Sequence, residues 1–255
     1  MFCMAIEKKL LIGRHGLAPQ KPEGGSYDTL MPEAFPPLYK YGSSLRDFVA
    51  EHNLRLGDSF LTHSTAQRTR YSGQTALIGA FNLQPSSGQA PPQCQEDLEE
   101  YDLSELISRE DTDFSMGTPF CNSQIYKNEG PVPIIDYWLQ NPDATEHFGE
   151  AIQSGRSLLQ RTTQLVLSDA RRLLNGDYCL GVMVSHTSLV EPPIISLINS
   201  CLCTPITSVK DIGGEFLMGE FSELLLLPTG NGSYESRLTL KGETYPVNLE
   251  KLGKI

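Results

Sequence analysis

The sequence predicts an α/β fold: a three-layer α/β/α sandwich around a mostly parallel sheet. Short apolar runs with strand character alternate along the chain with longer stretches in which apolar residues recur at the helical period. Strands that alternate with helices are typical of a sheet covered by helices on both faces. The chain has 255 residues and is 39% hydrophobic, so we expect one domain over residues 1–255 with a sizeable core.

The first predicted element is the apolar run at 9–13, which we interpret as a buried strand that stops at a glycine. The segment 17–41 contains five prolines and a Gly-Gly pair, so it is predicted to lack regular structure. A helix is predicted to begin at 42–44, where Ser43 or Ser44 is a suitable N-cap.

The rest of the chain continues the alternation of strands and helices. The clearest helix covers 149–175, because its apolar residues keep the helical period and the following Gly176 supplies a stop. The other predicted elements are a strand at 59–62, a helix at 68–80 that ends near Asn82, a buried strand at 178–185, a short helix at 192–199 and edge strands at 215–218, 223–227 and 236–240.

Residues 107–148 differ from this pattern. They contain four prolines and the only tryptophan, and they look irregular. We interpret them as an insertion or cap over a functional site at the end of the sheet. Together with the proline-rich segment 17–41, this cap is expected to determine the substrate, because long loops in compact domains usually carry function.

The composition excludes several functions. The net charge is −11, with 31 acidic and 20 basic residues, which argues against nucleic acid as a partner. No apolar run approaches the ~20 residues of a membrane helix, so we expect no membrane association. The six cysteines lack metal-ligand spacing and are interpreted as reduced thiols of a cytoplasmic protein. Nothing in the sequence indicates the oligomeric state.

Basic side chains are predicted at the carboxyl ends of two strands and at the start of one helix. Arg14 and His15 follow the first strand, and His186 follows a later buried strand. Arg68 lies in the first turn of a predicted helix, where backbone N–H groups also face anions. Ligands of open α/β sheets bind beyond the carboxyl ends of the strands. Because a neutral imidazole is a nucleophile and a guanidinium binds oxyanions, this pattern indicates phosphoryl transfer.

Further polar residues complete the predicted site. His63 and Ser64 follow the second strand, next to the expected phosphate position, so they are possible additional contacts of the substrate. An acidic loop can provide the proton donor, and its candidates are Glu99, Glu100 and Asp102.

The ordered combination of these motifs resembles the histidine phosphatase superfamily, also called phosphoglycerate mutase-like. The resemblance covers roughly residues 8–16, 42–80, 96–106 and 149–227. The matching motifs are Arg-His-Gly at Arg14, His15 and Gly16, Ser-x-x-x-Arg at Ser64 and Arg68, Leu-x-Glu at Leu98 and Glu100, the second histidine at His186, and a Gly-Glu pair at Gly149 and Glu150.

The resemblance implies a phosphoglycerate mutase-like fold and a phosphate-monoester hydrolase that acts through a phosphohistidine at His15. It implies that Arg14, Arg68 and a protonated His186 hold the phosphate, and that Glu100 is the general acid and base. It also implies no metal ion and no other cofactor. The substrate is expected to be a small-molecule or protein phosphoester.

One position separates the branches of this family. The acid phosphatase and phytase branch has Asp directly after the second histidine, and the other branch usually has Gly there, whereas this chain has Thr187. The presence of Glu100 favours the branch whose donor is the Glu of Leu-x-Glu. The apolar residues 17–19 lack the polar side chains that many relatives have there, which argues against mutase activity on a phosphoglycerate.

Two other functions stay open at this point. One is a phosphate-recognising binding or regulatory protein without an effective acid, and the other is a phosphomutase, which would need a pocket for a second phosphate. Glu150 also has two interpretations, a site residue or a first-turn helix residue favoured by the helix dipole. Turnover of an aryl phosphate would distinguish the hydrolase from the binding protein.

Overall fold

The computed structural model describes most of the chain. The described residues are 6–19, 28–86, 88, 91–111, 128–130, 132–141, 145–148, 151–176, 178–186, 189–230 and 233–252. Within 145–148 and 151–158 it describes the backbone alone. Across these ranges, no helix is both long and apolar enough to cross a membrane.

Seven strands form the main sheet. They are β1 (Lys8–Arg14), β2 (Ser59–His63), β3 (Ile107–Glu110), β6 (Leu180–Ser185), β7 (Phe221–Pro228), β8 (Tyr234–Leu240) and β9 (Glu243–Val247). Two further strands, β4 (Thr145–Phe148) and β5 (Ala151–Ser154), form a separate antiparallel pair. The main sheet has the order β3-β2-β6-β1-β7-β8-β9.

The sheet is mixed, and this corrects part of the prediction. The strands β3, β2, β6 and β1 run parallel, whereas β7, β8 and β9 are antiparallel to their neighbours. The predicted α/β fold is therefore confirmed, but a mostly parallel sheet is only partly correct. The reason lies in the connections: β8 and β9 are joined by Lys241 and Gly242, with φ of 51° and 85°. Such a two-residue turn joins only antiparallel strands.

Helices cover both faces of the sheet. They are α1 (Phe35–Ser43), α2 (Arg46–Glu51), α3 (Gln67–Phe81), α4 (Val132–Gln140), α5 (Gly155–Leu174), α6 (Glu191–Asn199) and α7 (Leu249–Leu252). On β1, Leu10 and Ile12 belong to the core on the side of α4, α5 and α6. Leu11 belongs to the core on the side of α1, α2 and α3. This alternation produces the predicted three layers.

The structure corrects the predicted start of the first helix. α1 begins at Phe35, inside the segment predicted to be irregular, and Pro36 and Pro37 occupy its first turn. Proline suits this position because the first turn of a helix does not use its backbone N–H groups. Ser43 is the last residue of α1 and Ser44 is its C-cap, so neither begins a helix.

The segment 107–148 is more regular than predicted. It contains β3, α4 and β4, and Ile134, Ile135 and Trp138 of α4 are buried in the core. The expected irregular structure is therefore wrong for these parts, because local prolines do not outweigh the burial of an apolar helix face. The cap over the site stays a prediction, since 112–127 lie outside the described residues.

Two further boundaries differ from the sequence prediction. The predicted end of α3 near Asn82 is confirmed, and Asn82 adopts the left-handed conformation there. The helix predicted at 149–175 begins at Gly155, because the preceding β5 pairs with β4. The predicted strand at 215–218 is a loop. The Glu220 N–H donates to the Leu217 carbonyl at 3.0 Å, and Gly219 has a φ of 78°, so a turn stands where a strand was expected.

Candidate active site

Three neighbouring parallel strands end at the same edge of the sheet. β6 lies between β1 and β2. Arg14 ends β1 and is followed by His15, His63 ends β2, and His186 follows Ser185 at the end of β6. The His15 N–H donates to the Ser185 carbonyl at 3.0 Å, which ties the ends of β1 and β6 together. The strand ends therefore bring these side chains to one edge.

The two ring nitrogens of His15 have different roles. Nδ1 lies 2.6 Å from the carbonyl oxygen of Gly16, so it carries the proton and donates to that oxygen. Nε2 accepts a hydrogen bond from Nε of Arg68 at 3.3 Å and keeps its lone pair. Burial, followed by the charges of Arg68 and Arg14, lowers the pKa of His15 to about 3. The ring is therefore neutral at pH 7 and has one unprotonated nitrogen.

Arg68 connects the two site histidines. Besides its bond to His15, its Nη2 lies 3.4 Å from Nδ1 of His186. Arg68 is the second residue of α3, so its side chain extends from the positive end of this helix. The first N–H of α3, from Gln67, donates to Asp28 Oδ1 at 3.0 Å. The carboxylate of Asp28 therefore occupies one of the N–H donors at the N-terminus of α3.

A chain of hydroxyl groups fixes the ring of His186. Because Nδ1 accepts from Arg68, Nε2 carries the proton and donates to Ser64 Oγ at 2.9 Å. Ser64 Oγ lies 3.0 Å from Thr69 Oγ1, and the Thr69 hydroxyl donates to the Ala66 carbonyl at 2.6 Å. Ser64, a residue of the Ser-x-x-x-Arg motif, therefore sets the tautomer and orientation of His186.

The charge state of His186 differs from the expectation of an imidazolium. Burial lowers its pKa to about 2, together with the neighbouring His15, Arg68 and Arg14. His186 is consequently neutral at pH 7 in this structure. The rings of His15 and His186 meet edge to face, with centroids 5.1 Å apart and an interplanar angle of 68°.

Arg14 is held from the loop that precedes β7. Its Nη1 donates to the Phe216 carbonyl at 2.7 Å and lies 3.7 Å from Oε2 of Glu215. Its Nε is buried and has no hydrogen-bond partner in the described part of the chain. A buried donor is seldom left unpaired in proteins, so this atom, beside His15, suits an oxygen of an anionic ligand.

Ser72 is a site residue that sequence reasoning missed. Its hydroxyl donates to the Arg68 carbonyl at 2.7 Å and accepts the Gly16 N–H at 2.9 Å. It therefore joins α3 to the residue after His15. A Cβ at Gly16 would lie 2.9 Å from both Ala34 Cβ and Leu38 Cδ1, which explains the glycine. The available signal was the spacing of four residues between Arg68 and Ser72, which places both on one helix face.

His63 lies at the same edge in different surroundings. Its Nδ1 donates to the Ser64 carbonyl at 2.7 Å, and β2 pairs it with Glu110 of β3. Burial lowers the pKa of His63, with Arg70 acting in the same direction and Glu110 in the opposite one. A contact between His63 and a substrate stays a prediction.

The acidic loop forms a 3₁₀ turn at Glu96–Glu100. Glu100 is half-buried at its end, and its carbonyl accepts the Ser86 N–H at 3.0 Å. Asp102 is exposed, and hydrogen bonds from the hydroxyl and N–H of Ser104 lower the pKa of its carboxyl group. A lowered pKa disfavours a proton donor, so Asp102 is a weaker candidate than Glu100. The assignment of Glu100 as donor stays a prediction that depends on the Leu-x-Glu spacing.

Gly149 and Glu150 of the predicted Gly-Glu pair, and Thr187 after the second histidine, lie outside the described residues. Both interpretations of Glu150 therefore stay predictions. Within the described ranges, no group of three or more His, Cys, Asp or Glu side chains is arranged to hold a metal ion.

The seven-stranded sheet belongs to an α/β fold that matches those of phosphoglycerate mutase-like structures, and two histidines and two arginines cluster at the carboxyl ends of its parallel strands. No protein-family model and no curated protein sequence matches the chain. Solved structures do match it along most of its length. A mycobacterial glucosyl-3-phosphoglycerate phosphatase is 14% identical, with a TM-score of 0.50 over 91% of this chain and 97% of the other.

A second solved structure, a phosphoserine phosphatase from Entamoeba histolytica in complex with 3-phosphoglyceric acid, is also similar. It is 13% identical, with a TM-score of 0.45 over 96% of this chain and 98% of the other. The likeness to the mycobacterial enzyme confirms, at the level of the fold, the resemblance that the sequence motifs carry.

Proposed function

We propose that the protein hydrolyses phosphate monoesters, on a small molecule or on a protein, through a phosphohistidine at His15. The observation that carries the proposal is the neutral His15 ring, whose unprotonated Nε2 lies 3.3 Å from Nε of Arg68. An imidazole attacks phosphorus with the lone pair of its unprotonated nitrogen, so the bond from Arg68 to Nε2 must open for the attack, and a transferring phosphoryl group needs adjacent positive charge. The likeness of fold to a mycobacterial phosphatase supports the same class of reaction.

The first step is attack of His15 Nε2 on phosphorus. The N–P bond forms as the bond between phosphorus and the ester oxygen breaks. The leaving oxygen takes a proton from the carboxyl group of Glu100 and departs as an alcohol. The hydrogen bond from Nδ1 to the Gly16 carbonyl keeps the reacting nitrogen unprotonated and stabilises the charge that develops on the ring.

The second step is hydrolysis of the phosphohistidine. A water molecule attacks phosphorus, gives a proton to the Glu100 carboxylate, and the N–P bond breaks. Inorganic phosphate leaves, and both His15 and Glu100 return to their starting protonation states.

The phosphoryl oxygens are held by side-chain donors. Arg68 lies between the two histidines, and the unpartnered Nε of Arg14 offers a further donor. The single proton of neutral His186, on Nε2, goes to Ser64, so donation to a phosphoryl oxygen requires a second proton on Nδ1. The negative charge of a bound phosphoryl group would favour that proton, because it opposes the effects that lower the pKa of His186. Because the arginines supply positive charge, we propose that the reaction needs no metal ion.

Labelled substrate tests this proposal. The wild-type protein is mixed briefly with a ³²P-labelled aryl phosphate in the presence of EDTA and then denatured in base. We expect an acid-labile, base-stable phosphoprotein and release of inorganic phosphate. His15→Ala should form no phosphoprotein while its thermal unfolding stays cooperative.

His63→Ala is the matched control, because His63 is also a buried strand-end histidine whose Nδ1 donates to the next carbonyl. This variant should still form the phosphoprotein. Phosphoprotein formation by His15→Ala would overturn the proposal, and so would turnover that is lost in EDTA and restored by a divalent metal ion.

A further inference from the structure

Glu191 is a fully buried carboxylate at the start of α6. Its Oε1 accepts the backbone N–H of Phe216 at 3.1 Å, across 25 residues of sequence. A carboxylate is favoured in the first turn of a helix, but burial makes it costly unless it is well hydrogen-bonded. Glu191 is therefore a buried carboxyl group whose hydrogen bond reaches the loop beside the site.

Glu191 and Arg14 both form hydrogen bonds with the backbone of Phe216. The Phe216 carbonyl accepts the hydrogen bond from Arg14 Nη1 at 2.7 Å, and Phe216 is itself fully buried. The backbone of Phe216 thus joins the buried carboxylate to the guanidinium of the site. Among the described residues, this arrangement leaves Arg14 Nε buried without a partner, and the charge of Arg14 acts on both His15 and His186.

The loop at 213–220 is fixed to the site at other points as well. The Gly219 N–H lies 3.2 Å from the Arg14 carbonyl and 2.9 Å from the His15 carbonyl. On its outer side, Lys241 Nζ donates to the carbonyls of Gly213, Gly214 and Glu215 at 2.8, 3.0 and 3.0 Å. The loop is held by Lys241 from outside and by Glu191 from the core.

We propose that Glu191 is a positioning residue: through the backbone of Phe216 it orients the guanidinium of Arg14 toward the phosphoryl group. The inference rests on the proposed function. Glu215 also lies near Arg14, at 3.7 Å, but its side chain is 42% exposed, so solvent screens this pair. Glu191 lies in the core, where the bond to Phe216 has no competition from water.

Affinity for orthovanadate, measured by calorimetry, tests the inference without requiring turnover. Replacing residues that orient a ligand-binding group typically costs about 10- to 100-fold in affinity or activity. We therefore expect Glu191→Ala to weaken vanadate binding by about 10- to 100-fold and to lower kcat/KM for an aryl phosphate in parallel. Glu191→Gln keeps an acceptor oxygen and should restore both to within about threefold of wild type, as expected for a positioning hydrogen bond.

A double-mutant cycle separates this role from a general loss of stability. If Glu191 acts through Arg14, Glu191→Ala should not weaken vanadate binding further in an Arg14→Ala background. Asp169→Ala is the matched control: Asp169 is also fully buried, but it lies on α5 and pairs with Arg172 at 3.6 Å. This variant should lower the melting temperature and leave vanadate affinity unchanged. Should Glu191→Ala fail to fold, Glu191→Asp takes its place. The shorter aspartate side chain keeps the carboxyl group but holds it farther from the Phe216 N–H.

Wild-type vanadate affinity in Glu191→Ala, or additive losses in the Arg14→Ala background, would overturn the inference. Failure of wild type to bind vanadate would overturn both the inference and the proposed function. If wild type binds vanadate but never hydrolyses an aryl phosphate, only the proposed hydrolysis fails, and the vanadate cycle still decides the role of Glu191.

Discussion

His15 and His63 are nearly equivalent in backbone position and differ in their neighbours. Each is buried at the carboxyl end of a parallel strand, and each donates from Nδ1 to the carbonyl of the next residue, at 2.6 and 2.7 Å. His15 then meets Arg68 at 3.3 Å and the ring of His186, whereas β2 pairs His63 with Glu110. The comparison teaches that the local bond from Nδ1 sets the tautomer of each ring. The neighbouring elements then determine which groups surround the unprotonated Nε2.

The order of the strands explains the difference. β6 lies between β1 and β2, so His186 at its end can approach His15 on β1. On the other side of β2, β3 ends with Glu110, an acidic residue. Arg68 and Arg70 of α3 add to the contrast, because residues two apart on a helix point to different sides.

The largest expected effect on activity comes from replacing the arginine that lies beside His15, compared with the one that lies near His63. An arginine that stabilises a transferring phosphoryl group is worth about 10³- to 10⁵-fold in rate, so Arg68→Ala should lower kcat/KM by about this factor. Arg70 is exposed and acts on the charge of His63, so Arg70→Ala should change kcat/KM by less than about threefold. Steady-state kinetics with an aryl phosphate measures both variants. Comparable losses in the two would remove the distinction between the histidines.

The second prediction concerns the proton donor. Burial lowers the pKa of both His15 and His63, which disfavours either ring as the general acid. If Glu100 is the acid, Glu100→Gln should slow alkyl phosphates by about 10²- to 10⁴-fold and aryl phosphates far less, because an aryl oxide leaves without a proton. Rates on one ester of each class measure the difference.

Two neighbours in the same acidic loop are the controls for Glu100. Glu99→Gln and Asp102→Asn should not distinguish alkyl from aryl esters, since Glu99 is exposed and Asp102 is hydrogen-bonded to Ser104. If either control reproduces the leaving-group dependence and Glu100→Gln does not, the assignment is wrong.

The smallest expected effect is on the free energy of unfolding, whose pH dependence reports the protonation state of His15. The pKa of His15 is about 3 in the fold, against about 6.5 for an unperturbed histidine. Below pH ~6.5 the unfolded chain therefore binds a proton that the folded chain does not, and stability is lost as pH falls toward the folded pKa. His186 adds a contribution of the same sign, because its pKa is about 2.

Each such histidine contributes up to about 1.4 kcal/mol of lost stability per pH unit in this window. Urea unfolding between pH 7 and 5 should therefore show a smaller loss of stability with falling pH in His15→Ala than in wild type. Parallel curves for the two proteins would contradict the lowered pKa of His15.

Much of the framework follows from local patterns in the sequence. The apolar runs before Arg14 and His186 predict strands, and the structure has β1 and β6 there. The helix with Arg68 in its first turn is found as α3 at Gln67–Phe81, and it ends where Asn82 adopts the left-handed conformation. These features are readable because strand and helix periods, glycine stops and caps are determined by neighbours in sequence.

Tertiary structure alone decided the features that give these residues their chemistry. The neutral state of His186 depends on burial and on cations from other elements, whereas the family resemblance implied a protonated ring. The link from Glu191 through Phe216 to Arg14 includes a hydrogen bond between residues 202 positions apart, Arg14 and Phe216. The residues around Phe216 were predicted as a strand. Sequence periodicity reports which side of an element is buried, but not which distant polar group lies against it, because that depends on how the elements pack.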